Sequence, residues 1–375
     1  MLILFQFLLI SVIFIILFFL SVNEYKFSLF LKKIILLVSI LSISILASQR
    51  TIGTDLQTYY GWFLKTYPID NFSLFIQDLG QLNIEPTYYI LVSILKSLGG
   101  NFQIFLGLYA FIPLFIIYLI ILKIEKDHII KMFSIFLLIY LIRWPLDIIR
   151  QFAGMTFYLG ALLLYVNKRY ILASISSFLS IFSHFSAILT ALTNIFLNKF
   201  SFKKTSFLIL CLISLLFGFI FNLEFIFDFL NSTFDLALIN KAELYLTSNY
   251  EYKNFIHFIS RNLMEHFSPI LNFLIIYLFL NKKNIYIYSN NSIYKVILNS
   301  MMFGSFLYFY LIGAGAFTFA YRLNSMYSIG NFIIITRLIT EYIDRRKMNV
   351  YYLIYIILII YNLIIVYYYT GAFNL

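Results

Sequence analysis

Long uncharged stretches recur along this chain and restrict it to a membrane fold. Residues 2–20, 102–122, 205–223 and 351–369 are almost free of charge, and an apolar helix of about 20 residues spans the hydrocarbon core of a bilayer. Of the 375 residues, 62% are hydrophobic and 11% are charged, which leaves room for about ten to twelve spans and little else. We therefore predict an all-α polytopic membrane protein with a single membrane domain over residues 1–375.

The distribution of charge predicts how the chain is oriented. Two thirds of the 27 Lys and Arg residues fall near 26–33, 123–131, 168–169, 199–204, 282–295 and 337–347. The positive-inside rule places these segments on the cytoplasmic side, and the N-terminus outside as the start of a retained span. Most acidic residues fall in the opposite segments. The net charge of +11 is thus a topology signal, and we expect no nucleic-acid partner.

Two outer loops and two short apolar stretches complete the predicted organisation. The loops cover residues 48–85 and 224–265. The stretch 87–98 is too short to cross a bilayer and predicts a re-entrant or interfacial helix that ends at Gly99 and Gly100. The apolar residues between Arg169 and Lys199 are too few for two full spans, so we expect a helical hairpin that turns near His184. Later spans are predicted at 267–280, 296–312, 317–335 and 351–369.

The cysteine and histidine content predicts neither a disulfide nor a metal site. Cys211 is the one cysteine and lies in an apolar run, where it is expected to pack as a small hydrophobe. The four histidines show no spacing typical of zinc ligands. We therefore expect no bound metal and no cofactor.

Polar residues that suit ligand binding gather at the predicted outer ends of the spans. Glu85 precedes Pro86, which suits the first turn of a helix, and Asp147 and Arg150 are spaced to share a helix face. Arg322 falls inside a predicted span, where a charge is expensive and usually functional. The candidate site residues are Arg50, Asp55, Glu85, Asp147, Arg150, Gln151, His184, Tyr321 and Arg322.

Some of these polar residues also have a purely structural interpretation. Asp147 and Arg150 are equally consistent with a helix-stabilising ion pair, and His184 with a hydrogen-bonded packing residue. Arg143, beside Trp144, is more typical of an interfacial anchor than of a ligand.

Several arginines at one membrane face favour a phosphate-bearing lipid as the ligand. Guanidinium groups keep a fixed charge and bind phosphate in a bidentate manner. A neighbouring carboxylate or histidine could take a proton from an attacking hydroxyl while the arginines stabilise a departing pyrophosphate.

The order of these motifs resembles the EpsG family of Wzy-like polysaccharide polymerases. The resemblance covers the chain from about Gln49 to the last span, although residues 224–261 contain no matching motif and Arg143 is outside the pattern. It rests on Arg50-x-x-Gly53-Thr54-Asp55, Glu85-Pro86, Ile149-Arg150-Gln151 with Ala153, Phe182-Ser183-His184-Phe185-Ser186 and Tyr321-Arg322.

The resemblance implies a metal-independent glycosyltransferase of exopolysaccharide or O-antigen biosynthesis. Such an enzyme transfers a glycan from undecaprenyl diphosphate to another lipid-linked repeat unit at the outer face of the bacterial inner membrane. The implied partners are the lipid bilayer, the undecaprenyl-diphosphate-linked oligosaccharide, a chain-length regulator and a flippase. By this resemblance Arg50, Arg150 and Arg322 bind diphosphate, and Asp55, Glu85 or His184 orients or deprotonates the acceptor. Asp147 positions Arg150, with Gln151 and Tyr321 as further substrate contacts.

Two other functions fit parts of the pattern. A flippase for the same lipid-linked oligosaccharide would line a path with the arginines, but it would expose them to both sides and often shows internal repeats, which we do not find. A membrane-bound acyltransferase would need an intramembrane histidine with a polar partner. His184 alone is weak evidence for that function.

Overall fold

Helices make up the regular structure of the described residues. The computed structural model describes residues 2–50, 55–81, 85–141, 145–197, 199–220, 255–280, 291–343 and 356–360. Within those ranges there are fifteen α-helices, one short 3₁₀ helix at Glu24–Lys26, a further helical stretch at 356–360, and no strand. The predicted all-α class is confirmed.

The α-helices are numbered in chain order. They are α1 (Leu2–Val22), α2 (Leu29–Ser48), α3 (Leu56–Lys65), α4 (Phe72–Gln81), α5 (Pro86–Ser97), α6 (Phe102–Ile124), α7 (Ile129–Tyr140), α8 (Ile149–Val166), α9 (Tyr170–Ser183), α10 (Ala187–Leu197), α11 (Lys204–Ile220), α12 (Phe255–Phe279), α13 (Ser292–Gly313), α14 (Phe317–Ser328) and α15 (Asn331–Ile343).

Four of these helices are long and apolar enough to cross a membrane. They are α2, α6, α8 and α13, and six further apolar stretches of 10–17 residues occur among the described residues. A polytopic membrane protein is therefore confirmed. The number of ten to twelve spans stays a prediction, since most of the predicted span at 351–369 lies outside the described residues.

The chain divides into two compact units, Met1–Ala191 with Thr336–Leu375, and Leu192–Ile335. In the first unit, every residue of α7 is buried, and α1, α2 and α6 pack against it. Helices α8 and α9 form a tight pair, in which Ser176 and Ser180 donate hydrogen bonds of 2.7 Å to the carbonyls of Phe157 and Gly154. Small residues allow membrane helices to pack this closely. Close packing stabilises the pair because lipid supplies no hydrophobic driving force for helix association.

Glycines allow close contact between helices in the second unit, where α11 packs against α13. A Cβ atom on Gly218 would overlap the backbone carbonyl of Tyr310, and one on Gly313 would overlap that of Leu215. Helix α14 also packs on α13, and Gly304 faces the Cβ atom of Tyr327. Glycines thus allow α11, α13 and α14 to approach one another closely.

Two short elements agree with their prediction. Helix α5 has 12 residues with Glu85 as N-cap and Pro86 in its first turn, and Gly99 adopts a φ of +74° just after it. The hairpin between α9 and α10 turns at residues 184–186. The position of α5 relative to a bilayer remains a prediction.

Two predicted boundaries are wrong. The span expected at 317–335 is broken into α14 and α15 around Gly330, and the side chain of Asn331, at the start of the new helix, donates a hydrogen bond of 2.7 Å to Asn272 of α12. Helix α12 begins at Phe255, inside the predicted outer loop, whose limits stay a prediction. Helix α8 begins at Ile149, so Asp147 precedes the helix and does not share a helical face with Arg150.

Candidate functional site

A buried ion pair joins the first turns of α5 and α8. Glu85 is the N-cap of α5, yet its carboxylate makes no capping bond to its own helix. Instead it accepts a hydrogen bond from Nη1 of Arg150, in the first turn of α8. The side chains of Glu85 and Arg150 are only 4% and 13% exposed. Two sequence-predicted site residues that lie 65 positions apart are thus in direct contact.

A second buried arginine lies close to this pair. Nη1 of Arg50 donates to the backbone carbonyls of Leu146 and Asp147, the latter at 3.3 Å. Its Nε and Nη2 atoms are buried without a hydrogen-bond partner among the described residues. Burial lowers the pKa of Arg50, while Tyr59, Asp147 and Asp55 counteract that effect. Arginine nevertheless stays protonated in proteins, so Arg50 offers a fixed positive charge with spare donors.

Aromatic rings of α3 cover both guanidinium groups. The guanidinium carbon of Arg150 lies 4.4 Å from the ring centre of Trp62 and 5.4 Å from that of Tyr59. Arg50 lies 5.7 Å from the same Tyr59 ring. A ring face attracts a cation, most strongly where water is excluded. The α3 helix therefore contributes to the site, a role that the sequence analysis missed in Tyr59 and Trp62.

Hydrogen bonds fix the position of this aromatic cover. The hydroxyl of Tyr88 donates to the carbonyl of Tyr59 at 2.7 Å, and the Tyr59 hydroxyl donates to Asp55 at 3.3 Å. Burial raises the pKa of Tyr59, so its hydroxyl remains a proton donor. The Asp55 carboxylate acts electrostatically on both Arg50 and Arg150. Asp55 thus belongs to the cluster, whereas Gly53 and Thr54 lie outside the described residues.

The end of α9 lies beside the start of α5. Oγ1 of Thr87 is 3.1 Å from both the Ser183 hydroxyl and the Phe182 carbonyl. The next residue, His184, is half-buried, and its Nδ1 lies 2.6 Å from the Ser186 hydroxyl. The structure therefore places His184 at the edge of the Glu85–Arg150 cluster.

The remaining candidates occupy different places. Asp147 and Gln151 are buried. The backbone carbonyl of Asp147 accepts a hydrogen bond from Arg50, and Gln151 directly follows Arg150. Tyr321, which is buried, and Arg322, which is half-buried, lie on α14 in the second unit, so the cluster described here is built from the first unit alone. Arg143 and Trp144 lie outside the described residues.

A simple signal in the sequence could have indicated Tyr59 and Trp62. Residues 56–65 place aromatic side chains at helical spacing within an otherwise polar loop, which is typical of an amphipathic helix laid on a surface. In the part of the chain that the structure describes, no group of three or more His, Cys, Asp or Glu side chains is arranged to hold a metal ion.

Comparison with known proteins identifies a family that covers most of the chain. A sequence model of the EpsG family, a Wzy-like polysaccharide polymerase family, matches residues 33–375. No curated protein and no solved structure matches the chain.

Proposed function

Since the chain belongs to the EpsG family of polysaccharide polymerases, we propose that it lengthens glycans carried on undecaprenyl diphosphate. The acceptor is a second lipid-linked repeat unit, and the reaction takes place at the outer face of the bacterial inner membrane. The observation that carries this proposal is the buried contact between Arg150 and Glu85, with Arg50 close to it.

The cluster suits a diphosphate group. Two arginines supply planar donors for phosphate oxygens, and α5 and α8 begin at the same ion pair, so the positive ends of both helices favour an anion there. The unpaired Nε and Nη2 donors of Arg50 need an acceptor that the described residues do not provide. A bound diphosphate would satisfy them.

Diphosphate binding would also change the state of Glu85. A phosphate oxygen that binds Arg150 in place of Glu85 removes the positive partner of Glu85. It also places negative charge beside the Glu85 carboxylate. The Glu85 carboxylate oxygens are then available to an acceptor hydroxyl. We assign Glu85 as the general base, with Asp55 and His184 orienting the acceptor, Asp147 and Gln151 supporting the arginines, and Tyr321 and Arg322 as further substrate contacts.

The proposed reaction is a nucleophilic substitution at the anomeric carbon of the donor glycan. An acceptor hydroxyl attacks the anomeric carbon of the donor glycan and gives its proton to Glu85. The bond between that carbon and the diphosphate oxygen breaks, and undecaprenyl diphosphate leaves with the electron pair. The fixed charges of Arg50 and Arg150 stabilise the negative charge that develops on this leaving group.

Variants of Arg150 in the producing cell test this proposal. With Arg150→Ala we expect no polymer even when the amount of folded protein is matched to that of the wild type, because the leaving group loses its main cation. Arg169→Ala is the matched control, since Arg169 is an exposed arginine at the start of α9, and it should leave the polymer normal. Normal polymer from Arg150→Ala would contradict the proposal.

One observation supports a second candidate, a flippase for the same lipid-linked oligosaccharide. Helices α14 and α15 are separated at Gly330, and broken helices are common at the binding sites of transporters. In this case, the arginines would line a translocation path, and the repeat unit would cross a membrane without any lengthening.

A further inference from the structure

An apolar cavity is lined by residues that follow Glu85 and Arg150 within one turn of α5 and α8. Its volume is about 240 Å³, and α5, α6, α8 and α9 form its walls. Aliphatic and aromatic side chains dominate its surface, which we call the prenyl cavity. It is lined by Thr87, Ile90, Leu91, Ile94, Tyr109, Ile112, Pro113, Ala153, Phe157, Leu179 and Ser183.

The prenyl cavity continues from the charged cluster. Ala153 lies three residues after Arg150 on α8, so both residues occupy the same side of that helix. Thr87 follows Glu85 by two residues, and Ser183 directly precedes His184. A molecule whose charged end contacts Arg150 can therefore extend its apolar end into the cavity.

The few hydroxyl groups of the cavity wall already have partners. Thr87 Oγ1 lies 3.4 Å from the Tyr109 hydroxyl and 3.1 Å from that of Ser183, and Ser183 donates to the Leu179 carbonyl at 2.7 Å. An occupant does not need to supply hydrogen bonds, and a polar occupant would lose those it makes with water. The lining thus selects an apolar chain.

The rim of the cavity is open at the protein surface. Ile90, Ile94, Ile112 and Leu179 are each 36–40% exposed. In a membrane protein, such aliphatic residues face lipid chains. In addition, Pro113 of α6 cannot donate a backbone hydrogen bond to the carbonyl of Tyr109, which loosens the helix at the cavity wall. A chain can enter sideways from the hydrocarbon core without crossing a polar barrier.

We propose that the prenyl cavity holds the first two isoprene units of a polyprenyl diphosphate, while the diphosphate contacts Arg150 and Arg50. This assignment rests on the proposed function. A cavity of about 150 Å³ accommodates the six carbons of benzene, so one of 240 Å³ holds about ten carbons, or two isoprene units. The two buried arginines favour a diphosphate over the single phosphate of a phospholipid.

Photocrosslinking tests the occupant without requiring polymerisation. The probe is farnesyl diphosphate with a diazirine in its first isoprene unit, added to the full-length protein in nanodiscs and mapped by mass spectrometry. We expect labels on cavity residues of α5, α8 and α9, removed by excess unlabelled farnesyl diphosphate and unaffected by phosphatidylglycerol. Equal competition by phosphatidylglycerol, or labels only elsewhere, would overturn the proposal.

A rim variant provides the kinetic test. Ile94→Trp places an indole at the 40% exposed rim, where bulk is tolerated by the fold, and it should raise the KM for a polyprenyl-diphosphate repeat unit at least about tenfold. The KM for a donor that has a single isoprene unit should change little. Ile104→Trp is the matched control, since Ile104 is exposed on α6 and does not line the cavity.

The two proposals can fail separately. If the wild-type protein crosslinks specifically but lengthens no glycan, the polymerase assignment is wrong and the cavity assignment stands. If it lengthens glycans while Ile94→Trp leaves both KM values unchanged, the cavity assignment is wrong.

Discussion

At the scale of single residues, the central feature is a pair of opposite charges that is buried beside a membrane helix. Glu85 could be selected from the sequence because it precedes Pro86 at a predicted helix start, and Arg150 because it lies three residues after Asp147 at the predicted outer end of a span. Their contact could not be predicted from the sequence, because the two residues lie 65 positions apart on different helices. The sequence suggested Asp147 as the partner of Arg150, and the start of α8 at Ile149 removed the geometry on which that choice depended.

Loss of one member of this pair should destabilise the protein, while loss of both should not. Arg150→Gln leaves Glu85 buried and unpaired, at a cost of about 3–5 kcal/mol. The double variant Glu85→Gln with Arg150→Gln removes both charges and should recover most of that stability, yet it should make no polymer. Thermal unfolding in detergent and a polymer assay measure the two effects. Equal destabilisation of the single and double variants would contradict this coupling.

Glu24 should make stability depend on pH. Its carboxylate accepts hydrogen bonds from the backbone of Ile130 and Lys131, but burial outweighs them and raises its pKa from 4.5 to about 6. The folded state therefore binds more protons than the unfolded state in that interval. The contribution of Glu24 to stability should be fully present below pH 4.5 and fall by about 2 kcal/mol as the pH rises through 6.

Two variants isolate this effect in melting curves between pH 4 and pH 7. Glu24→Gln should flatten the dependence on pH, because it removes the titrating group. Asp127→Asn, which changes an exposed side chain near the start of α7, should leave the dependence as it is. An unchanged slope in Glu24→Gln would show that another group is responsible.

At the scale of elements, apolar length and turn residues predicted most helices, and contacts between residues distant in sequence explain what prediction missed. The short α5 followed from an apolar run that ends in Gly99 and Gly100. The separation of α14 and α15 did not follow in the same way. A partner distant in sequence joins the two helices, since Asn272 donates to Asn324 at 3.0 Å and accepts from Asn331 at 2.7 Å.

Close packing of α11 and α13 predicts a steric effect at Gly218. Gly218→Ala should destabilise the protein by about 1–3 kcal/mol, because the added methyl group meets the rigid carbonyl of Tyr310. Gly61→Ala is the control, since space around Gly61 in α3 is open and alanine favours a helix. Melting temperatures should fall for the first variant and hold or rise for the second.

At the scale of the whole molecule, orientation is the prediction on which the location of the reaction depends. Charge at the helix ends predicts that the turn after α1 faces the cytoplasm and that the turn after α5 faces outward. Apolar patterns could indicate a polytopic helical protein, whereas the division into two units depends on packing between residues that are distant in sequence.

Cysteine labelling in intact cells tests this orientation. On a Cys211→Ala background, Leu98→Cys should react with a membrane-impermeant maleimide, while Tyr25→Cys should react only after lysis. Both side chains are about 80% exposed, so accessibility alone does not separate them. Protection of Leu98→Cys with labelling of Tyr25→Cys would place the Glu85–Arg150 cluster on the cytoplasmic side.

The central claim is that arginines at this cluster support transfer of a glycan from a diphosphate carrier. The most direct measurement uses purified protein in liposomes, a synthetic undecaprenyl-diphosphate repeat unit and no ATP, with lipid-linked products resolved by size. We expect a ladder of longer products from the wild type and from Arg169→Ala, and none from Arg150→Ala or Arg50→Ala. Passage of intact repeat units across the liposome membrane without any lengthening would contradict the claim and favour the flippase.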